Sequence, residues 1–177
     1  MIQYRHSIFE TNSSSTHAMV VATNSSYIIP DSIHFGLGEY GWGLETLYET
    51  DEKAAYLYTA AIILRHDDEA VQQALKDRLA EAGIYDVTFT TPKYEHYNVN
   101  GEEYKFLDNG AMDHAGEDDQ YDFVDTMLSD TGMLLSYLFS DDSYVVIGND
   151  NVYENERNWF LDQLNPDYPH ETYYKGN

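Results

Sequence analysis

Residues 93–107, KYEHYNVNGEEYKFL, commit part of this chain to antiparallel β structure whatever surrounds them. Asn100-Gly101 suits a two-residue turn whose central positions both need positive φ, and the residues on either side alternate as paired strands do. The turn also sets the register, placing Tyr97 opposite Tyr104 and His96 opposite Lys105, because a slip of one residue would turn every side chain to the other face. Any fold proposed for the chain has to accommodate this hairpin.

Helical patterns lie on both sides of it. Thr50 can cap a helix that begins with Asp51 and Glu52, charges suited to the positive end of its dipole. Ala54, Leu57, Tyr58, Ala61, Ile62 and Leu64 then follow at helical spacing. A second helix starts near Asp67 or Asp68, carries Val71, Ala74, Leu75 and Leu79 on one face and stops at Gly83. The short corner between Arg65 and Asp67 makes these an antiparallel pair or one kinked helix. After the hairpin, YDFVDTMLSDTGMLLSYLF predicts a single long helix with Phe123, Val124, Met127, Leu128, Leu134, Leu135 and Leu138 inward and Gly132 weakening its middle. NERNWFLDQL predicts a last helix with Trp159, Phe160 and Leu164 inward.

Strand patterns are interleaved with the helices. SIFET and HAMVVAT flank a Ser-rich connection, SYIIP is extended and runs into a Gly-rich loop, IYDVTFTTP alternates, and SYVVIGNDN is a short buried strand ending in a polar turn. Irregular mixing of strands and helices without an internal repeat predicts an α+β fold. The expectation is a mixed or antiparallel sheet, the hairpin at about 93–107 and three to four helices. Length points to one domain, residues 1–165, with 166–177 as a loosely attached tail.

Composition narrows the function classes. The chain has no cysteine, which excludes a disulfide framework, a zinc ribbon and a thiol nucleophile. The N-terminus lacks an apolar signal segment, no lipid-anchor motif is present, and the longest apolar run, AAIILR, is far short of a membrane span. A cytoplasmic protein without membrane contact is expected. Thirty-two acidic residues against nine basic ones give a net charge of −23. Affinity for phosphate comes mainly from Lys and Arg displacing counterions, so strong direct binding to free nucleic acid is not expected. A basic partner is. Between Lys105 and Arg157 the sequence has no Lys or Arg, while Asp and Glu accumulate, and such a field can steer a protein onto a nucleic-acid-binding groove.

The candidate chemistry lies in the predicted loops: ETNSSSTH up to His17, GEYGW with Glu39, MDHAG with Asp113 and His114, and GNDN with Asn149 and Asp150. Taken singly, these are capped turns and solvated carboxylates. Brought to one sheet edge, His17 and His114 can take and return a proton while Glu39 and Asp113 fix their tautomers, an arrangement suited to cutting RNA without metal. Asn12, Ser13, Ser14, Ser15, Asn149 and Asp150 would supply hydrogen bonds to a phosphate. No cofactor is required, although two histidines and carboxylates can also hold a divalent ion. A Ser–His–Asp hydrolase ranks lower, because no Gly-x-Ser-x-Gly elbow is present and residues two apart on a strand are separated by ~6–7 Å at the backbone.

FETNSSSTH, GEYGW, DH and GNDN together resemble a group of small proteins from phages and mobile elements of Gram-positive bacteria, a group that includes some type II-A anti-CRISPR proteins. The resemblance spans residues 5–151. It implies a shared site at Asn12, Ser13, Ser14, Ser15, His17, Glu39, Asp113, His114, Asn149 and Asp150. It also implies inhibition of a CRISPR effector nuclease by interference with, or truncation of, its guide RNA. Two departures bear on that site: GEYGWG lacks an acidic residue after Trp42, and DHAG stands where the family pattern is the more polar DHQS. The function expected is therefore that of an anti-CRISPR protein that docks an acidic surface on a type II effector carrying guide RNA, with a partner-dependent ribonuclease-like activity in question. The alternatives are a non-enzymatic acidic DNA or RNA mimic and a metal-dependent hydrolase unrelated to defence.

Overall fold

The computed structural model describes residues 15–113, 118–149, 159–160, 162–164 and 166–175. Its framework is a four-stranded antiparallel sheet. The strands are β1 (Ser15–Ala22), β4 (Glu45–Leu47), β9 (Tyr144–Asn149) and β10 (His170–Lys175), in the order β10-β1-β9-β4. Three two-stranded sheets complete the β structure. β2 (Ser32–Phe35) pairs in parallel with β5 (Asp86–Phe89), β3 (Glu39–Tyr40) in parallel with β8 (Ala111–Met112), and β6 (Tyr94–Val99) antiparallel with β7 (Glu102–Leu107). Four helices accompany them among the described residues: α1 (Thr50–Arg65), α2 (Asp68–Glu81), α3 (Asp118–Ser129) and α4 (Thr131–Phe139). This is the expected α+β fold in one domain.

The hairpin has the predicted register, with Tyr97 opposite Tyr104 and His96 opposite Lys105. Asn100 and Gly101 have φ of 55° and 89°, the positive-φ turn geometry that asparagine and glycine tolerate.

Along β1 the side chains alternate between two layers. Met19 and Val21 join Val145 and Ile147 of β9 in the main core, where α1, α3 and α4 supply Tyr56, Leu57, Phe123, Leu134 and Tyr137. Ala18 and Val20 face the other way with Tyr144 and Val146, and Phe160 covers them. Gly148 owes its identity to that cover, since a Cβ there would lie 2.8 Å from the Phe160 ring. Trp159, Phe160 and Asp162 are helical, while the first residues of the predicted last helix lie outside the described residues. So does the strand predicted for SIFET.

Within the 166–177 segment expected to be a loose tail, the described residues are held to the body. Residues 170–175 form β10, which pairs with β1 from Ala22↔His170 to His17↔Lys175 and places the Tyr173 ring edge-on to Phe123 at 5.6 Å. Its partner strand lies at the other end of the chain, so no local pattern could announce it.

The helices depart from expectation at their ends. Glu49, not Thr50, caps α1, through a reciprocal capping box with Glu52, and the Thr50 hydroxyl instead donates to the Leu138 carbonyl at 3.1 Å. α1 and α2 are separate helices, divided by His66 at φ 57° with Asp67 capping the second. The predicted 121–139 helix is two, because the Asp130 carboxylate accepts from Met133 N at 2.9 Å and starts α4 afresh.

Lys53 is 1% exposed. Its Nζ donates to the Ser140 carbonyl at 2.7 Å and the Ser143 carbonyl at 2.9 Å, so the ammonium closes the turn that follows α4. Burial pushes its pKa down to about 8, opposed by the nearby Asp141 and Glu49 carboxylates.

Candidate functional site

Antiparallel pairing sets Ser15 opposite Asn149 and His17 opposite Ile147, bringing the end of the Ser-rich stretch beside the strand that leads into GNDN. Parallel pairing of β3 with β8 then lays Glu39 and Tyr40 of GEYGW along Ala111 and Met112, with Tyr40 opposite Met112 and Asp113 N donating to the Tyr40 carbonyl at 2.9 Å. The two pairs meet at Gly41. Its φ is 115°, and a Cβ there would lie 2.5 Å from Asp113 Cβ and 2.8 Å from Ser15 Oγ. Only a glycine lets the loop pass between the serine and the aspartate.

Three of the sequence motifs therefore converge on one place, and the backbone of a fourth arrives beside Ser15. Of the ten residues expected to form the site, Ser15, His17 and Asp113 come together there, and Asn149 joins them through its backbone pairing. Glu39 does not. Its side chain is exposed, and alternation along β3 turns Tyr40 inward instead, edge-on to the Tyr56 ring at 5.1 Å. Asn12, Ser13, Ser14, His114 and Asp150 lie outside the described residues.

His17 is fully buried. Its Nδ1 lies 2.9 Å from the Tyr56 hydroxyl and its Nε2 3.1 Å from Ser15 Oγ. The serine and histidine thus meet although their backbones are two residues apart, which corrects the expectation that strand spacing would keep them from each other; the side chains converge because β1 carries both on one face. Ser15 Oγ also donates to the Asp113 carbonyl at 3.3 Å. A hydroxyl has one proton to give, so with that proton on the carbonyl the imidazole must donate from Nε2 to Ser15 and accept at Nδ1 from Tyr56. That tautomer is assigned from the hydrogen-bond pattern. It is the reverse of a general-base dyad, in which the histidine accepts from the serine.

The second partner of the imidazole is a tyrosine where a triad would have a carboxylate. Burial pushes the Tyr56 hydroxyl far above its ordinary range, opposed by a hydrogen bond from Gln120, so it stays neutral. It also lies 3.3 Å from Met19 Sδ, and Gln120 Nε2 lies 2.6 Å from Met112 Sδ. The result is a buried chain of polar groups that ties β1, α1, α3 and β8 together, strong as a lock because each group is costly to leave without a partner. Among the described residues no group of three or more His, Asp or Glu side chains is placed to hold a metal ion.

Sequence reasoning missed Tyr56, Tyr40 and Gln120. The signal for Tyr56 was present, since residues 54–64 carry no charge and a helix without a polar face is buried all round. The expected apolar face passed over Tyr56 in favour of Leu57 and Tyr58. No family model matches the sequence, and neither a curated protein nor a solved structure matches it.

Proposed function

We propose that this protein is an inhibitory binding protein of phage or mobile-element type. Its acidic body occupies the basic nucleic-acid groove of a host defence nuclease, a type II CRISPR effector carrying its guide RNA, and blocks the effector while leaving the RNA whole. The observation that carries this is the imbalance of charge, thirty-two carboxylates against nine basic residues. Of nine basic residues, Lys53 is buried against carbonyls, while Arg65 and Arg78 are paired with Asp125 and Glu81. Lys76 and Lys105 lie over the Phe89 and Tyr94 rings. The net charge of −23 remains, and a surface mainly of one sign speeds encounter with its opposite and repels free RNA. Such a protein works in the cytosol of the host cell, where the effector is.

Burial of His17 supports blocking over cleavage, since a general base has to reach the proton it removes. Cleavage would need the 3.1 Å contact between His17 Nε2 and Ser15 Oγ to run in the opposite sense, with Ser15 donating to the imidazole, and the same experiment decides between the two. Effector, guide RNA and target DNA are incubated with wild-type protein or His17→Ala, and both nucleic acids are run on denaturing gels. Protected DNA with full-length guide RNA supports blocking. Shortened guide RNA that becomes full-length with His17→Ala supports the ribonuclease, and cleaved DNA with intact RNA overturns both for this effector.

A further inference from the structure

The β6–β7 hairpin stands off the body. Tyr94 and Leu107 anchor its base against the core, and beyond them the two strands chiefly contact each other. Its two faces differ in charge. One carries Tyr94, His96, Lys105 and Glu103, with the Lys105 ammonium 3.5 Å above the Tyr94 ring and His96 Nδ1 3.0 Å from the Glu103 carboxylate, so its charges are internally matched. The other carries Glu95, Tyr97 and Val99 opposite Phe106, Tyr104 and Glu102. It has two carboxylates, three aromatic rings and no cation.

The order of this second face comes from tyrosine hydroxyls. Tyr97 donates to the Glu95 carboxylate, and Tyr104 donates to Glu102 at 2.9 Å, so each carboxylate is held beside a ring. The Tyr97 and Phe106 rings meet edge-on at 5.5 Å. Tyr97 is 41% exposed and Val99 51% exposed. Carboxylates fixed at the rim of an aromatic surface suit a guanidinium, which stacks on a ring face while its N–H groups reach an adjacent carboxylate. A second copy of this chain is a poor occupant, because two bodies of charge −23 repel.

Resting on the acidic-docking function above, we propose that this hairpin face is the contact that gives the docking its address: it binds an arginine-rich segment of the partner protein, with Glu95 and Glu102 pairing with guanidinium groups stacked on Tyr97 and Phe106. The charge on the rest of the body supplies attraction, and the hairpin supplies the seat.

The test uses the full chain and a fluorescein-labelled nona-arginine peptide, followed by anisotropy at low salt. The variants are Glu95→Gln/Glu102→Gln, which removes charge from the face and leaves the rings, Tyr97→Ala, which removes a ring, and Asp119→Asn/Asp122→Asn, which removes equal charge from α3. Thermal unfolding checks that each variant folds. Both hairpin variants are expected to weaken binding about tenfold while the α3 variant stays within about twofold of wild type. An equal, small loss from the hairpin and α3 charge variants would overturn the hairpin as the seat and leave diffuse acidic docking standing. No binding by the wild-type protein at low salt would overturn the docking function and the hairpin assignment with it.

Discussion

Replacing Gly41 by alanine should be the costliest single-methyl insertion among the positive-φ glycines, because two penalties coincide there. At φ 115° an L-residue is strained by ~1–3 kcal/mol. The added Cβ would also sit 2.5 Å from Asp113 Cβ, more than 1 Å inside a comfortable carbon–carbon contact, and relieving such overpacking costs a further ~1–3 kcal/mol. Retreat is difficult on either side. Asp113 is held by its backbone bond to Tyr40, and Ser15, 2.8 Å from the same Cβ, is held in β1. A total of ~2–6 kcal/mol lowers Tm by roughly 6–18 °C in a domain of this size, at about 3 °C per kcal/mol. The control is Gly83→Ala, where φ is 88° and nothing lies within 4 Å of the added methyl, so only the strain remains and Tm should fall by about 3–9 °C. Differential scanning calorimetry of both variants decides the matter. A Gly41→Ala protein no less stable than Gly83→Ala would refute the claim that the loop passes in close contact between Ser15 and Asp113.

Lys53 makes stability depend on pH in an uncommon direction. Its pKa in the fold is about 8 against an ordinary 10.5, so between those values the unfolded chain holds a proton that the folded chain has released, and stability rises with pH across that window. Above about pH 10 the buried tyrosines, whose pKa values are raised by burial, reverse the slope, because the unfolded chain then loses its phenolic protons first. Urea unfolding from pH 7 to pH 11 should show this rise and fall, and Lys53→Met should flatten the rise; a wild-type profile that only declines above pH 8 would count against it. Asp130→Ala removes the cap that starts α4 and should cost ~0.5–2 kcal/mol in the same assay at pH 7. A loss within error would mean that the α3–α4 break is maintained by packing alone.

What could be read in advance was whatever local chemistry decides. Asn100-Gly101 set the hairpin register because turn conformation and side-chain alternation act over a few residues. The apolar run at Val145–Ile147 marked a buried strand for the same reason, and β9 lies between two others in the main sheet. β10 was illegible, since HETYYK gains its apolar contacts only when Tyr173 meets Phe123 across the fold. α4 was read as a continuation of α3 because apolar spacing ran on through Asp130, whose side chain the local rules place equally well on a helix surface or at a cap.

The site was legible as a set of loops and not as a constellation. Ser15, Asp113 and Gly148–Asn149 at the end of β9 came from their residue types, and the glycine at position 41 could be noticed, but only the fold shows that it must be small for Ser15 and Asp113 to meet across it. The Ser15–His17 contact was discounted on backbone distance, a poor guide once both side chains lean into one buried pocket. Glu39 was favoured over Tyr40 because a carboxylate looks chemical and a tyrosine looks structural. β3 turns the tyrosine inward and leaves the carboxylate at the surface.

The measurement that tests the central claim most directly is the affinity of the protein for a type II effector–guide RNA complex, titrated at about 0.1 M and about 0.5 M salt, with and without target DNA. Docking of an acidic body in the nucleic-acid groove predicts tight binding at the lower salt, loss of most affinity at the higher, and competition with DNA for one site. Binding that is indifferent to salt and unaffected by DNA, or no binding at either salt, would contradict it.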